Sequence, residues 1–199
     1  MKDLIIVGAG ASGQEIYSWA NPHFETMGFH FKGFLDDIHS DGFAKITEYD
    51  PNQNDVFICS IGSSLGRVKC CDFLKEKGAE FINLLHPSAI VLSPIKGKGV
   101  VIAPFVYVAN DVLIDDYVFI NTSATVGHNA AIGKGSIICA HADLTGYVVV
   151  EDNVLIGSHA CVVPGKHIGA GAIVGAGSAV MRNVLPGATV IGVPAKRLI

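Results

Sequence analysis

An aliphatic residue recurs at every sixth position from Ile102 to Val180, through Val108, Ile114, Ile120, Val126, Ile132, Ile138, Leu144, Val150, Ile156, Val162, Ile168 and Val174. Few chain geometries can use that period. A helix returns to one face about every 3.6 residues, so every sixth side chain drifts round it, and a strand of period 2 calls for an apolar residue at every second position rather than every sixth. A coil of three short strands, with one inward residue per strand and turn, gives a repeat of six. The residue after each aliphatic is often small or turn-forming, as at Ala103, Asn121, Gly127, Gly133, Gly157, Gly169 and Gly175, and the fourth is usually Ala, Ser or Val. Fourteen aliphatics in unbroken register predict a parallel β-helix, with a closing cap after the pattern breaks at Pro186-Gly187.

The chain has 199 residues, half of them hydrophobic, which is enough for a solid core and for one or two domains. No apolar run approaches the roughly 18 residues of a membrane span, and Asp3 stands before a short apolar strand where a secretory leader would be basic. A chain with no membrane span, in the cytoplasm, is expected. The five cysteines (Cys59, Cys70, Cys71, Cys139, Cys161) are odd in number and lack metal-finger spacing, which fits structural thiols in a reduced compartment. A net charge of −4 without a long basic run argues against nucleic acid as a partner.

Ahead of the hexads, residues 1–85 read as a small α/β domain, and residues 86–199 as the β-helix with its cap. An apolar strand, Leu4 to Val7, runs into Gly8-Ala9-Gly10-Ala11-Ser12-Gly13 and a helical pattern through Ile16, Tyr17 and Trp19. The three glycines fit GxGxxG, in which backbone amides at a helix N-terminus receive a phosphate. A second strand, Phe29 to Leu35, ends in Asp36-Asp37, and a third, Val56 to Ile61, ends in Gly62. Glu80 to Leu84 reads as a fourth. This Rossmann-like βαβαβ unit is only half of a dinucleotide fold, so a mononucleotide or nucleotide sugar suits it better than a nicotinamide cofactor. Arg67, after the third strand, either reaches a phosphate or is a solvated helix charge.

Three hexads make one coil, so residues 18 apart stack about 4.8 Å from each other. On that ruler His128 lies at a corner with Asn110 below it and Gly146 above, and a glycine leaves the ring room. His141 and His159 also stack, as an exposed ladder or a subunit-interface pair. The γ-class carbonic anhydrases, metal enzymes of the hexapeptide fold, use histidines two coils apart; no two histidines here are 36 residues apart, and no metal is expected. The basic end, Lys196-Arg197, either only caps the solenoid or approaches a phosphorylated ligand.

Taken in order, Gly10-Ala11-Ser12-Gly13, Phe34-Leu35-Asp36-Asp37, Ser60-Ile61-Gly62, His86-Pro87-Ser88-Ala89, Asn121-Thr122 to Gly127-His128, Gly146 and Gly192-Val193-Pro194-Ala195-Lys196-Arg197 make a specific set. With it the chain resembles, over nearly its whole length, the bacterial nucleotide-sugar acetyltransferases of the left-handed β-helix superfamily. That group holds UDP-amino-sugar and perosamine N-acetyltransferases and sialic-acid O-acetyltransferases. The resemblance implies a homotrimer, an N-terminal domain holding the nucleotide sugar, and acetyl-CoA in the groove between adjacent β-helices. By position, His128 would be the general base, Ser12, Gly13, Gln14, Asp36, Asp37 and Gly62 would contact the nucleotide sugar, and Gly146, Ser158 and Ala176 would line the acetyl-CoA groove. The last three are also residues that simply suit a tight corner. The family pattern usually follows this histidine with an acid; here Asn129 stands there, so either the base is weaker or a different nearby acid does the job, and Asp111, one coil below Asn129, is the candidate for that acid.

An acetyl-CoA-dependent N-acetyltransferase of a nucleotide-linked amino sugar is therefore expected, for a surface polysaccharide or glycan. An O-acetyltransferase of the sialic-acid type shares the chemistry and changes the acceptor. A non-catalytic binding or scaffold protein of the same fold is the reading from another class.

Overall fold

The structure, a computed structural model, describes residues 1–198 and divides into two compact units, Met1–Leu84 and Leu85 onward. In the first, strands β1 (Lys2–Val7), β2 (Phe29–Leu35), β3 (Asp55–Cys59) and β4 (Glu80–Phe81) form one sheet in the order β2-β1-β3-β4, all parallel. Central parallel strands are covered on both faces and read as continuous apolar runs; Leu4, Ile5, Ile6 and Val7 are all fully buried. Helix α1 (Ala11–Phe24) turns Ile16, Ala20 and Phe24 inward, and Tyr17 packs its ring 4.4 Å from Phe31. Helix α2 (Ser64–Glu76) is capped by the Ser63 hydroxyl, which accepts from the Gly66 amide.

Three expectations change here, the first being the fourth strand, which stops at Phe81 short of Leu84. The third strand ends at Cys59 because Ser60 turns back on β1, its amide donating to Val7 O at 2.8 Å and its hydroxyl to Gly8 O at 2.8 Å. Arg67 is neither solvated nor aimed at a ligand: it is fully buried, and its Nη1 and Nε donate to the carbonyls of Cys59 at 2.7 Å and Ile61 at 3.1 Å. Those carbonyls lie past the last ladder bond, and the guanidinium fork satisfies two of them at once.

The second unit is a left-handed parallel β-helix of two-residue strands. Val101–Ile102, Phe119–Ile120, Ile137–Ile138, Leu155–Ile156 and Ile173–Val174 stack on a first face. Tyr107–Val108, Thr125–Val126, Asp143–Leu144, Cys161–Val162 and Ala179–Val180 form the second, and Leu113–Ile114, Ala131–Ile132, Val149–Val150 and His167–Ile168 the third. Each partner stands 18 residues from the next, as in Phe119 opposite Ile137. The ruler shortens only at the ends, to 17 between Ile90 and Tyr107 and 16 between Ile173 and Thr189. None of the fourteen inward aliphatics is more than 4% exposed.

The corners have a rule of their own. The third residue after each inward aliphatic from Ile102 to Val174 lies in the left-handed region: Phe105, Asp111, Tyr117, Ser123, Asn129, His141, Tyr147, Asn153 and His159 have φ between 57° and 60°, and Gly135, Gly165, Gly171 and Gly177 fill the same position. Asn, Asp and His tolerate this region better than other side chains, which accounts for much of the polar decoration of the corners.

Candidate functional site

Two sites emerge, one in each unit. In the first unit the strand order reverses between β1 and β3, and ligands of open α/β sheets bind beyond the carboxyl ends at such a point. A cavity of about 470 Å³ lies there, lined by the glycine turn, Asp36, Asp37, Ile38, His39, Ser60, Gly62 and Cys70. Gly13 makes the turn possible, since a Cβ there would stand 2.1 Å from Gly8 O. Gly10 caps α1 without a side chain. Its carbonyl accepts the amides of Gly13 and Gln14, so the amides of Ala11 and Ser12 remain outside the helical ladder.

Asp36 ties this loop cluster together. Its Oδ1 accepts the amides of Ile38 and His39 at 2.7 and 2.8 Å; its Oδ2 accepts the Ala9 amide at 2.7 Å and His39 Nδ1 at 3.1 Å. Burial works to raise its pKa, but the amides of His39, Ala9 and Ile38 and the His39 ring outweigh that and hold it down at about 2. Each oxygen has two acceptor sites, and all four are taken. Of the sequence-predicted contacts, Ser12, Gly13, Asp36, Asp37 and Gly62 surround the cavity, while Gln14 does not and turns its amide to Ala9 O at 3.4 Å. Asp37 keeps Oδ2 open, since Thr47 bonds only Oδ1.

In the second unit, His128 and Asn129 occupy the corner between the second and third faces and are exposed. The ring Nδ1 lies 2.9 Å from Asn129 Oδ1. An amide oxygen only accepts, so Nδ1 carries the proton and Nε2 presents its lone pair. That nitrogen lies beneath Gly146: a Cβ there would stand 2.8 Å from Nε2 and 3.0 Å from Cε1. The Gly146 amide has no protein acceptor among the described residues. Tyr147, which sequence reasoning passed over, sets its ring edge-on to the imidazole at 5.0 Å and 87°. Asp111 takes the Asn110 amide group at 2.9 Å, so the neighbour that holds the ring is Asn129 itself. His141 and His159 stack at 4.7 Å and 5°. They share the corner between the first and second faces with Ser158 and Ala176, a different corner from that of Gly146. At the far end of the solenoid, Arg182, Lys196 and Arg197 surround a cavity of about 320 Å³ floored by Val180, Val184 and Val190.

No protein-family model matches the chain. Solved structures do, along their full length. The acetyltransferase domain of PglB from Neisseria gonorrhoeae FA1090, in complex with acetyl coenzyme A, is 26% identical with 99% of each chain covered and a TM-score of 0.87. PerB from Caulobacter crescentus, in complex with CoA and GDP-perosamine, is 27% identical, covering 100% of this chain and 98% of its own at a TM-score of 0.89. Over its full length the chain is similar to nucleotide-sugar acetyltransferases. WeeI from Acinetobacter baumannii AYE is similar as well, at 25% identity, full coverage of both chains and a TM-score of 0.86. Sequence reasoning missed His39 and Tyr147. The first had a signal, since it stands three residues after Asp36 in the loop that closes the cavity; the second had none, because an aromatic at a corner is indistinguishable from surface.

Proposed function

We propose that this chain transfers the acetyl group of acetyl-CoA to the amine of a nucleotide-linked amino sugar, with His128 as general base. The observation that carries this is the corner: an imidazole whose tautomer is fixed by Asn129, whose Nε2 is bare, and which lies under a glycine amide with no protein acceptor. Nε2 takes a proton from the acceptor's ammonium, the free amine attacks the thioester carbon, and the Gly146 N–H stabilises the resulting oxyanion. The nitrogen of the tetrahedral intermediate loses its excess proton to solvent, collapse expels the CoA thiolate, and His128 returns to the thiolate the proton it took first. Acetyl-CoA is already activated, so no covalent enzyme intermediate is required. Asn129 can orient the ring but cannot stabilise an imidazolium as a carboxylate would, and that favours an amine acceptor over a hydroxyl.

The cavity of the first unit supports nucleotide-sugar binding through Ser12, Gly13, Asp37 and Gly62, with Asp36 holding the loops in shape. Gly146, Ser158 and Ala176 suit an acetyl-CoA groove through their small size. Because they lie on two different corners of one solenoid, a groove that uses all three takes one corner from each of two chains, which favours a homotrimer with intersubunit sites. The cationic cavity at Arg182, Lys196 and Arg197 fits the phosphates of the coenzyme. PerB was solved with CoA and GDP-perosamine, and histidine variants of perosamine N-acetyltransferase with the same pair. A cytoplasmic location fits the need for acetyl-CoA; among the described residues no helix is long and apolar enough to cross a membrane. Thiol release from acetyl-CoA against a panel of UDP-, GDP- and CMP-linked amino sugars tests the proposal. His128→Ala is expected to lower kcat by about a hundredfold or more, and equal rates for variant and parent would sink it.

A further inference from the structure

His39 belongs to no sequence motif and to no step above, yet it lines the cavity of the first unit. Nδ1 is committed to Asp36 Oδ2 at 3.1 Å. The other edge lies over Gly10: a Cβ on that glycine would meet His39 Cε1 at 3.3 Å and Nε2 at 3.4 Å. Gly10 is the second glycine of GxGxxG, the position at which the backbone comes closest to a pyrophosphate. The lining of this cavity contains no lysine or arginine, two carboxylates and this one histidine. A diphosphate entering it would meet net negative charge from the side chains, which opposes binding in a partly dehydrated cleft.

We propose that His39 is the diphosphate-recognising residue of the nucleotide-sugar site, binding a phosphoryl oxygen through Nε2–H in its doubly protonated form while Asp36 holds Nδ1. The inference rests on the nucleotide-sugar reading of the first unit. Asp36 has no acceptor capacity left for a ribose hydroxyl, so its part is to orient and charge-balance the imidazolium, as carboxylates orient histidines in other anion and metal sites. Other groups facing the ring leave this assignment intact. Asp37 adds a second negative charge to the lining, and the Gly10–Gly13 and Ser60–Gly62 turns bring no charge. Cys70 on α2 stays neutral, because burial first, and then the charges of Cys59, Asp37 and Asp36, push its pKa up to about 11.

Calorimetry with UDP and GDP, and ligand-observed NMR with uridine and guanosine, separate the possibilities on the full chain. His39→Ala should weaken whichever diphosphate binds by about tenfold or more, the scale of one charge-assisted hydrogen bond, and leave the matching nucleoside unchanged. His39→Arg should restore the diphosphate, because a fixed cation then stands where the imidazolium donated. Equal losses for nucleoside and diphosphate, or no loss for either, would overturn the role of His39 while leaving the site intact. A parent that binds none of the four ligands overturns the nucleotide-sugar reading and this inference with it.

Discussion

At His128 two demands fall on one neighbour. The corner requires a residue at φ 59°, and the ring requires an acceptor for Nδ1; asparagine meets both, because its short side chain tolerates the left-handed region and its carbonyl reaches the imidazole. A longer acid would serve the ring and strain the turn. Asn129→Asp should keep the corner and add a charge that stabilises the imidazolium, so the acid limb of the kcat/KM profile is expected to move to higher pH, read from thiol-release rates across pH. Gly146 permits a cleaner test. Its φ lies outside the left-handed region, so Gly146→Ala costs the backbone little, yet the added methyl would press on Nε2. A displaced base loses about a hundredfold in kcat, with unfolding by heat little changed. The ruler of 18 residues made Gly146 legible from sequence; it could not say which way Asp111 would turn, because both Asn110 and Asn129 lie within reach and only the built corner decides between them.

At the scale of elements, the loop after β2 governs the first unit. Asp36 receives three backbone amides from two loops, so its carboxylate is structural in the same degree as it is functional. Its pKa is lower folded than unfolded, and such a group stabilises above its unfolded pKa and loses that contribution as pH falls through the folded one. A drop from 3.8 to about 2 corresponds to about 2 kcal/mol. Asp36→Ala should therefore be less stable than the parent by at least this order near neutrality, and the gap should narrow as pH falls from about 4 to about 2, followed by urea unfolding. The strand–turn–helix pattern, the acid after β2 and the glycine after β3 were all readable from residue order, since each follows from apolar run and turn chemistry. The buried guanidinium of Arg67 was not, because a cation in the first turn of an amphipathic helix has the same local pattern whether it faces water or a row of spare carbonyls.

For the whole molecule, the prediction concerns copies. The corner of His128 and the corner of Ser158 and Ala176 point away from one another around the same solenoid, so an acetyl-CoA groove using both joins two chains. Gel filtration is expected to give three copies. Chains carrying His128→Ala, inactive alone, should recover part of the activity when unfolded and reassembled with chains whose groove is blocked by Ala176→Arg; a site within one chain would give no recovery. The unbroken hexads disclosed the solenoid because the period is a property of the backbone, but the number of chains depends on outward side chains that carry no period.

The constant rise of the coils has one more result. Because each rung sits on its neighbour at a fixed count of 18 residues, the solenoid behaves like a reading frame: a whole inserted coil leaves every corner facing as before, whereas one extra residue within a rung must be extruded as a loop or else turns the side chains of that rung to the wrong side. Between the corners of Gly146 and Ser158 lies one further corner, residues 151–154, and length change there is confined to the turns.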